Sequence, residues 1–324
     1  MPQGLPAPGD FASDTIETPS PGPGQFLSRT IWLSLDPYLR NVMKGHALYG
    51  VALRPGDPMH GETVARVVES RHPEFAAGEY VVARNGWQQY ALSDGQGVRR
   101  VDPEAAPLST ALGVLGMPGL TGYAGLTCCG EPQAGETVLV SAATGPVGST
   151  AGQTARLLGA RAVGIAGGKD KCRYAVEELG FAACLDRTQG DLAAQVRDAC
   201  PGGAHVYFDN VGGDVLAAAL ANLARGARVV LCGMIEAYSL DVPPAHGPFL
   251  GPVVAARATV RGFVVYDHLH RMNEMQRVIG GWMREGRFRY REDVTVGLEN
   301  APAAFCRLMR GGNFGKSLVR VAAD

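Results

Sequence analysis

The chain has 324 residues, 46% hydrophobic and 19% charged, which is too long for one ordinary core and supplies apolar material for two. A formal net charge of −1 excludes broad electrostatic binding to nucleic acid or an anionic membrane surface. No apolar run approaches the ~20 residues of a membrane span, and seven scattered cysteines without framework spacing suit a reducing cytoplasm.

The first 24 residues carry six prolines and no hydrophobic stretch, so an extended surface segment is expected rather than a secretion signal. Short β-prone runs at 29–35, 63–70, 80–84 and 88–92, separated by Gly and Pro, predict a small irregular β domain. From 107 to 122 the composition turns helical, and βα alternation then begins. Strands are expected at 137–142, 161–166, 183–186, 205–209, 227–232 and 259–265. Helices are expected at 148–158, 171–179, 190–199, 213–224 and 268–285. Six strands interleaved with helices predict an α/β fold with a doubly wound parallel (Rossmann) sheet. Strand text returns at 294–296, a helix follows with Asn300 as cap and Pro302 in its first turn, and a last strand covers 317–321. The two ends are therefore expected to form one discontinuous domain, 1–118 with 292–324, with a nucleotide domain at 119–291 inserted between them.

The inserted domain opens on the run at 137–142, apolar and continuous as in a strand buried on both faces. The turn Ala143-Thr144-Gly145-Pro146-Val147-Gly148 follows, and then a helix. Strand, glycine turn and helix make the start of a dinucleotide-binding βαβ unit. Gly145 lets N–H groups approach a pyrophosphate, the N-terminus of the helix that follows Pro146 and Val147 of the turn faces its charge, and Gly148 permits close packing. Ala143 stands where the first glycine of GxGxxG is expected, and a tight turn without a nucleotide is the alternative.

An NAD site places an acid about 20 residues past the turn, on the ribose hydroxyls. Here the second strand runs into Gly167-Gly168-Lys169-Asp170-Lys171 with no carboxylate at its end. Lys171, at a helix N-terminus, suits a 2′-phosphate, so NADP(H) is expected over NAD(H). Asp170 as a ribose acid, or both lysines as solvated surface, are the competing readings. No metal is expected: His60-Gly61-Glu62 has no thiolate partner upstream, and Cys128-Cys129 has no second pair.

The segments LSLDPYLR (33–40), GMPGLTGYAGL (116–126), AATGPVG (142–148), YFDNVGG (207–213), LCGMI (231–235), FVVY (263–266) and ENAPAAF…GGNFGK (299–316) resemble the zinc-free medium-chain dehydrogenase/reductases. The nearest branch is that of the prostaglandin/leukotriene reductases and NADPH-dependent alkenal double-bond reductases. The resemblance implies a GroES-like catalytic domain built from both chain ends, a homodimer, and reduction of the C=C bond of an α,β-unsaturated ketone or aldehyde. It also implies that Asn210, the 232–238 loop with Cys232, Ile235 and Tyr238, then Phe263, Val264, Val265 and Asn313 line the adenine and nicotinamide sides. Where relatives often carry a tyrosine after the third strand this chain has Arg187, a cation able to reach the same 2′-phosphate. Tyr266, directly after the nicotinamide-lining strand, is the first candidate to stabilise the enolate, and Tyr49 the second. Arg40 is expected to anchor the loop holding Tyr49. A quinone oxidoreductase of the same fold, and a non-catalytic NADPH-binding sensor or structural protein, are the rival functions.

Overall fold

The structure is a computed structural model and describes residues 2–44, 52–242 and 244–323. Its strands, in chain order, are β1 (Phe26–Ser34), β2 (Thr63–Ser70), β3 (Tyr80–Ala83), β4 (Tyr90–Ser93), β5 (Arg99–Val101), β6 (Thr137–Ser141) and β7 (Arg161–Ala166). They continue with β8 (Ala183–Asp186), β9 (Ala204–Asp209), β10 (Leu223–Leu231), β11 (Thr259–Gly262), β12 (Glu292–Val296) and β13 (Lys316–Arg320). Two compact units result: Met1–Gly113 with Tyr238–Asp241 and Glu292–Asp324, and Val114–Ala237 with Val242–Arg291.

The first unit is a sheet in the order β12-β13-β1-β2-β3-β5, with β4 also on β1. β1 runs antiparallel to β2, β4 and β13, which explains why nearly all of its residues are buried. Lys316 of β13 is 3% exposed, and its ammonium donates to Asp36 Oδ1 (2.6 Å) and to the Leu35 carbonyl (3.0 Å). A buried charge persists only when paired and hydrogen-bonded in this way. The pair joins the 33–40 segment to the C-terminal one.

Arg40 has a role the sequence does not show. It is fully buried, and its guanidinium donates to the carbonyls of Pro2 (2.9 Å) and Gly4 (2.8 and 3.0 Å). It therefore anchors the N-terminal segment; the loop holding Tyr49 lies outside the described residues. β5, with its two arginines, is a strand that apolar patterning does not reveal. It is the edge of its sheet, where charge is tolerated.

The second unit is a six-stranded parallel sheet in the order β11-β10-β9-β6-β7-β8. One face packs Val138, Val140, Val206 and Phe208 with Leu120, Ala151, Ala155 and Ile279 of the helices Met117–Gly125, Pro146–Leu157 and Met272–Arg284. The other packs Leu139, Val163 and Tyr207 with Val196, Val215 and Ala219 of Leu192–Ala199 and Gly213–Leu220. Burial on both faces is what makes these strands continuous apolar runs. The strand expected at 259–265 ends instead at Gly262. Its neighbour β10 ends at Leu231, whose carbonyl takes the Phe263 N–H (3.0 Å), so nothing remains for later residues to pair with. Among the described residues, no helix is long and apolar enough to cross a membrane.

Candidate cofactor site

The strand order reverses between β6 and β9, and in such sheets the ligand crevice lies outside the C-terminal ends of the strands at that point. After β6 the chain turns sharply. Ala142 adopts φ 50°, a left-handed conformation that a residue with a Cβ rarely takes. The Gly145 N–H then closes on the Ala142 carbonyl (3.0 Å), and the helix Pro146–Leu157 begins with proline in its first turn. Gly145 at the N-cap gives that helix no side-chain cap. Its first-turn N–H groups are therefore left without a side-chain acceptor, an arrangement that suits an anion. A Cβ on Gly148 would stand 2.4 Å from the Ala142 carbonyl oxygen, so only glycine fits there.

The missing first glycine has a compensation. A Cβ on Gly164 of β7 would lie 2.8 Å from the Ala143 methyl. The space one glycine would have left in the turn is thus supplied by another on the neighbouring strand.

Across the reversal sits Asp209, which is wholly buried. Its carboxylate accepts from Ser141 Oγ (3.0 Å), the Tyr207 hydroxyl (2.7 Å), and the N–H groups of Val211 (3.0 Å) and Gly212 (3.1 Å). Asn210 donates through its backbone to Ser141 Oγ (2.7 Å) and through Nδ2 to the Ser141 carbonyl (2.9 Å). The N–H groups of Cys232 (2.9 Å) and Gly233 (3.1 Å) reach the Asp209 carbonyl, and that of Ile235 reaches the Asn210 carbonyl (3.3 Å). The ends of β6, β9 and β10 are thereby tied together. Burial, with Asp209 beside it, holds the Tyr207 phenol far above its usual range. Burial pushes the Cys232 thiol up to about 12, so both stay neutral. The sequence reading names Asn210 but not Ser141 or Asp209. The available signal is an acid ending an otherwise apolar buried strand, which must find donors.

At the end of β7, Lys171 lies in the first turn of the helix Lys169–Glu177. The Arg187 N–H bonds the Ala166 carbonyl (3.0 Å), and its Nε is 3.5 Å from where a Cβ on Gly167 would stand. The structure thus brings Arg187 over the glycine pair that precedes Lys171. β7 itself ends without a carboxylate, and the acid beside that end comes from the neighbouring strand. Asp186, on the adjacent β8, takes the Gly168 N–H (2.8 Å) and both the N–H (3.0 Å) and hydroxyl (2.7 Å) of Thr188. Burial opposes its charge, but the bonds from Thr188 and Gly168 prevail and hold the carboxyl below its usual range. Asp186 is thereby engaged in shaping the loop.

Phe263 is buried, Val264 exposed and Val265 half-buried. Tyr266 is half-buried in the 3-10 helix Val265–Arg271, not directly after the strand as expected. Phe263 stacks on His268 at 4.9 Å. Arg271 closes the element, donating to both Glu274 oxygens (2.9 and 2.6 Å) and to Thr127 Oγ1 (2.8 Å), with its guanidinium 5.2 Å from the Tyr123 ring centroid. The Arg271 bond holds the Glu274 carboxyl at about 2. A depressed folded pKa means the anchor contributes at every pH above the ordinary carboxyl range and is lost only as pH falls toward 2. Activity is therefore expected not to titrate through it near neutrality, as a pH–rate profile of Glu274→Gln against the parent will test.

Tyr238 and Asn313 belong to the first unit, and Asn313 Nδ2 donates to the Gly315 carbonyl (2.8 Å). Tyr49 lies outside the described residues. Among the described residues no three His, Cys, Asp or Glu side chains are grouped as a metal site requires.

Residues 1–101 match the family described as the N-terminal domain of oxidoreductase, and residues 146–280 that described as zinc-binding dehydrogenase. The NADPH-dependent curcumin reductase of Escherichia coli (strain K12) is 45% identical over 330 residues, covering 100% of this chain and 95% of its own. Prostaglandin reductase 1 of Bos taurus is 39% identical over 322 residues, covering 98% and 95%. The crystal structure of CurA from Vibrio vulnificus in complex with NADPH matches with a TM-score of 0.94 at 41% identity, covering 100% of this chain and 97% of that one.

Proposed function

We propose that this chain, which belongs to the medium-chain dehydrogenase/reductase family in the branch of the prostaglandin and alkenal reductases, is an NADPH-dependent reductase of the C=C bond in α,β-unsaturated ketones and aldehydes. One observation carries the reading. A helix N-terminus without a side-chain cap, with a glycine in its first turn that nothing larger can replace, opens the Rossmann unit of a chain related along its whole length to an NADPH-dependent reductase.

Bound NADPH supplies a hydride, and the remaining work falls to the protein. The turn Gly145, Pro146, Val147 and Gly148 holds the diphosphate through first-turn N–H groups. Lys171 and Arg187 hold the 2′-phosphate, a dianion that two cations suit better than a ribose acid would. Asn210 and the loop with Cys232, Ile235 and Tyr238 border the cofactor. Phe263, Val264, Val265 and Asn313 line its nicotinamide side. The Tyr266 hydroxyl donates to the substrate carbonyl oxygen, where charge gathers as the β-carbon is reduced, and a proton from solvent completes the α-carbon. A donor positioned where charge develops acts without a metal.

The test is a panel of enones, enals and quinones with NADPH. Consumption with enones and enals but not with benzoquinone is expected. Turnover of the quinone alone would favour a quinone reductase, and binding without turnover a sensor. Tyr266→Phe is expected to lower kcat about tenfold to a hundredfold with little change in NADPH affinity, since the lost bond strengthens in the transition state. Tyr49→Phe should cost less and act mainly on KM. The reverse order would exchange the two roles.

Lys171→Ala is expected to weaken NADPH binding about tenfold, the weight of one charge-assisted contact, and to leave NADH unchanged. Equal loss for both cofactors would remove Lys171 from the phosphate. Activity is expected to survive chelators, with no stoichiometric zinc by elemental analysis. The protein is further proposed to be a cytoplasmic homodimer. In support, β11 ends its sheet with all four residues exposed, an edge that a second copy can cover. Light scattering at the monomer mass would contradict this.

A further inference from the structure

The helix Lys169–Glu177 turns one face toward the sheet. Ala175 is its buried residue, at 0%, and Cys172, three residues before it, lies on the same face. Opposite it, Cys184 on β8 is in register with Gly164 of β7. Cys184 Sγ lies 3.1 Å from where a Cβ on Gly164 would stand, so that glycine leaves the thiol its room. The Cys172 and Cys184 side chains hydrogen-bond to each other. Both residues are partly exposed and neither is in a disulfide. Neither has a part in the reaction proposed above.

We propose that Cys172 and Cys184 are an oxidisable pair that a peroxide closes into a disulfide, and that closure weakens NADPH binding. The Cys172 thiolate attacks the peroxide, forming an S–O bond and breaking the O–O bond. One water leaves and Cys172 becomes a sulfenic acid. The Cys184 sulfur then attacks that sulfur, the S–S bond forms, the S–O bond breaks and a second water leaves. Two thiols lose two electrons, and one hydrogen peroxide becomes two waters.

The environment assigns the two roles. The hydrogen bond from Cys184 lowers the Cys172 pKa against the opposing effect of burial, while that same bond and burial raise Cys184. The nucleophile is the thiolate, so Cys172 reacts first and Cys184 resolves. A pair of this kind in a reducing compartment is transient, as redox-sensing disulfides are.

The coupling to NADPH rests on the cofactor reading above, whereas the bond itself does not. Lys171 directly precedes Cys172. Two residues after Cys184, Asp186 holds the Gly168 N–H, and Arg187 follows. Drawing the sulfurs from hydrogen-bonding distance to about 2.05 Å pulls on the first helical turn and on the strand end that carry the two proposed phosphate ligands.

The experiment treats the full-length reduced protein with hydrogen peroxide, alkylates the remaining thiols, and maps the peptides by mass spectrometry. NADPH affinity is measured by fluorescence titration on the same samples. A Cys172–Cys184 cross-linked peptide, reversed by dithiothreitol, is expected. A fivefold to tenfold loss of NADPH affinity, roughly one weakened charged contact, should accompany it. In Cys172→Ser and Cys184→Ser, peroxide should leave affinity unchanged and no such peptide should appear. Recovery of both cysteines alkylated while other thiols oxidise would overturn the pair. A cross-link with unchanged affinity would overturn the coupling. Failure of the reduced protein to bind NADPH would overturn the cofactor reading, and the coupling with it, while the cross-link would still support the pair.

Discussion

Asp209→Ala is expected to destabilise the second unit by about 4 kcal/mol, nearly a thousandfold in its folding equilibrium. The substitution removes the acceptor of Ser141 Oγ, the Tyr207 hydroxyl, and the Val211 and Gly212 N–H groups at once, in a place with no exposure. Each buried donor left without a partner costs about 1–3 kcal/mol, and water entering the space left by the carboxylate recovers part of the sum. Asp209→Asn keeps one carbonyl acceptor but turns an amide toward donors, so about half that loss is expected. Urea unfolding of the three proteins tests this. An unchanged midpoint in Asp209→Ala would mean that the carboxylate's bonds contribute nothing net.

Gly148→Val is expected to cost on the order of 10² or more in NADPH affinity while leaving the sheet folded. Its Cβ would stand 2.4 Å from the Ala142 carbonyl oxygen, and the backbone of Ala142 and Ala143 cannot yield as a flexible side chain would. Overpacking a tight site costs about 1–3 kcal/mol, and the upper end applies to a branched side chain against backbone. Because the displaced turn carries the N–H groups proposed for the diphosphate, the strain falls on binding. Gly145→Ala is the graded comparison: its Cβ would meet the same oxygen at 3.4 Å, so a small loss is expected. Calorimetric titration with NADPH separates the two. Equal losses would show that the turn's spacing is not what the cofactor reads.

The parallel sheet is legible in the sequence because its inner strands are buried on both faces and appear as unbroken apolar runs. β10 is longer than expected, starting at Leu223. The extra residues pass through Gly226 at φ 76° and a register shift against β9, and Ala-Arg-Gly reads as a turn. The glycine turn is legible from its place between strand and helix. The Ala143–Gly164 compensation is not, because it pairs residues on different strands. Ser141 and Asp209 escape for the same reason, their bond spanning 68 positions. Asp186 is missed because the search for an acid follows β7, and the carboxylate comes from the strand beside it. Tyr266 is misplaced because where β11 ends is decided by the end of β10, which no local pattern encodes.

The central claim, that a hydride passes from NADPH to the β-carbon of an enone, is tested most directly by reducing an enone with NADPH deuterated at the transferable position of the nicotinamide. The account predicts a saturated ketone with one deuterium at the β-carbon, and an α-hydrogen drawn from solvent. Deuterium on the carbinol carbon of an allylic alcohol, or a saturated product without deuterium, would contradict it.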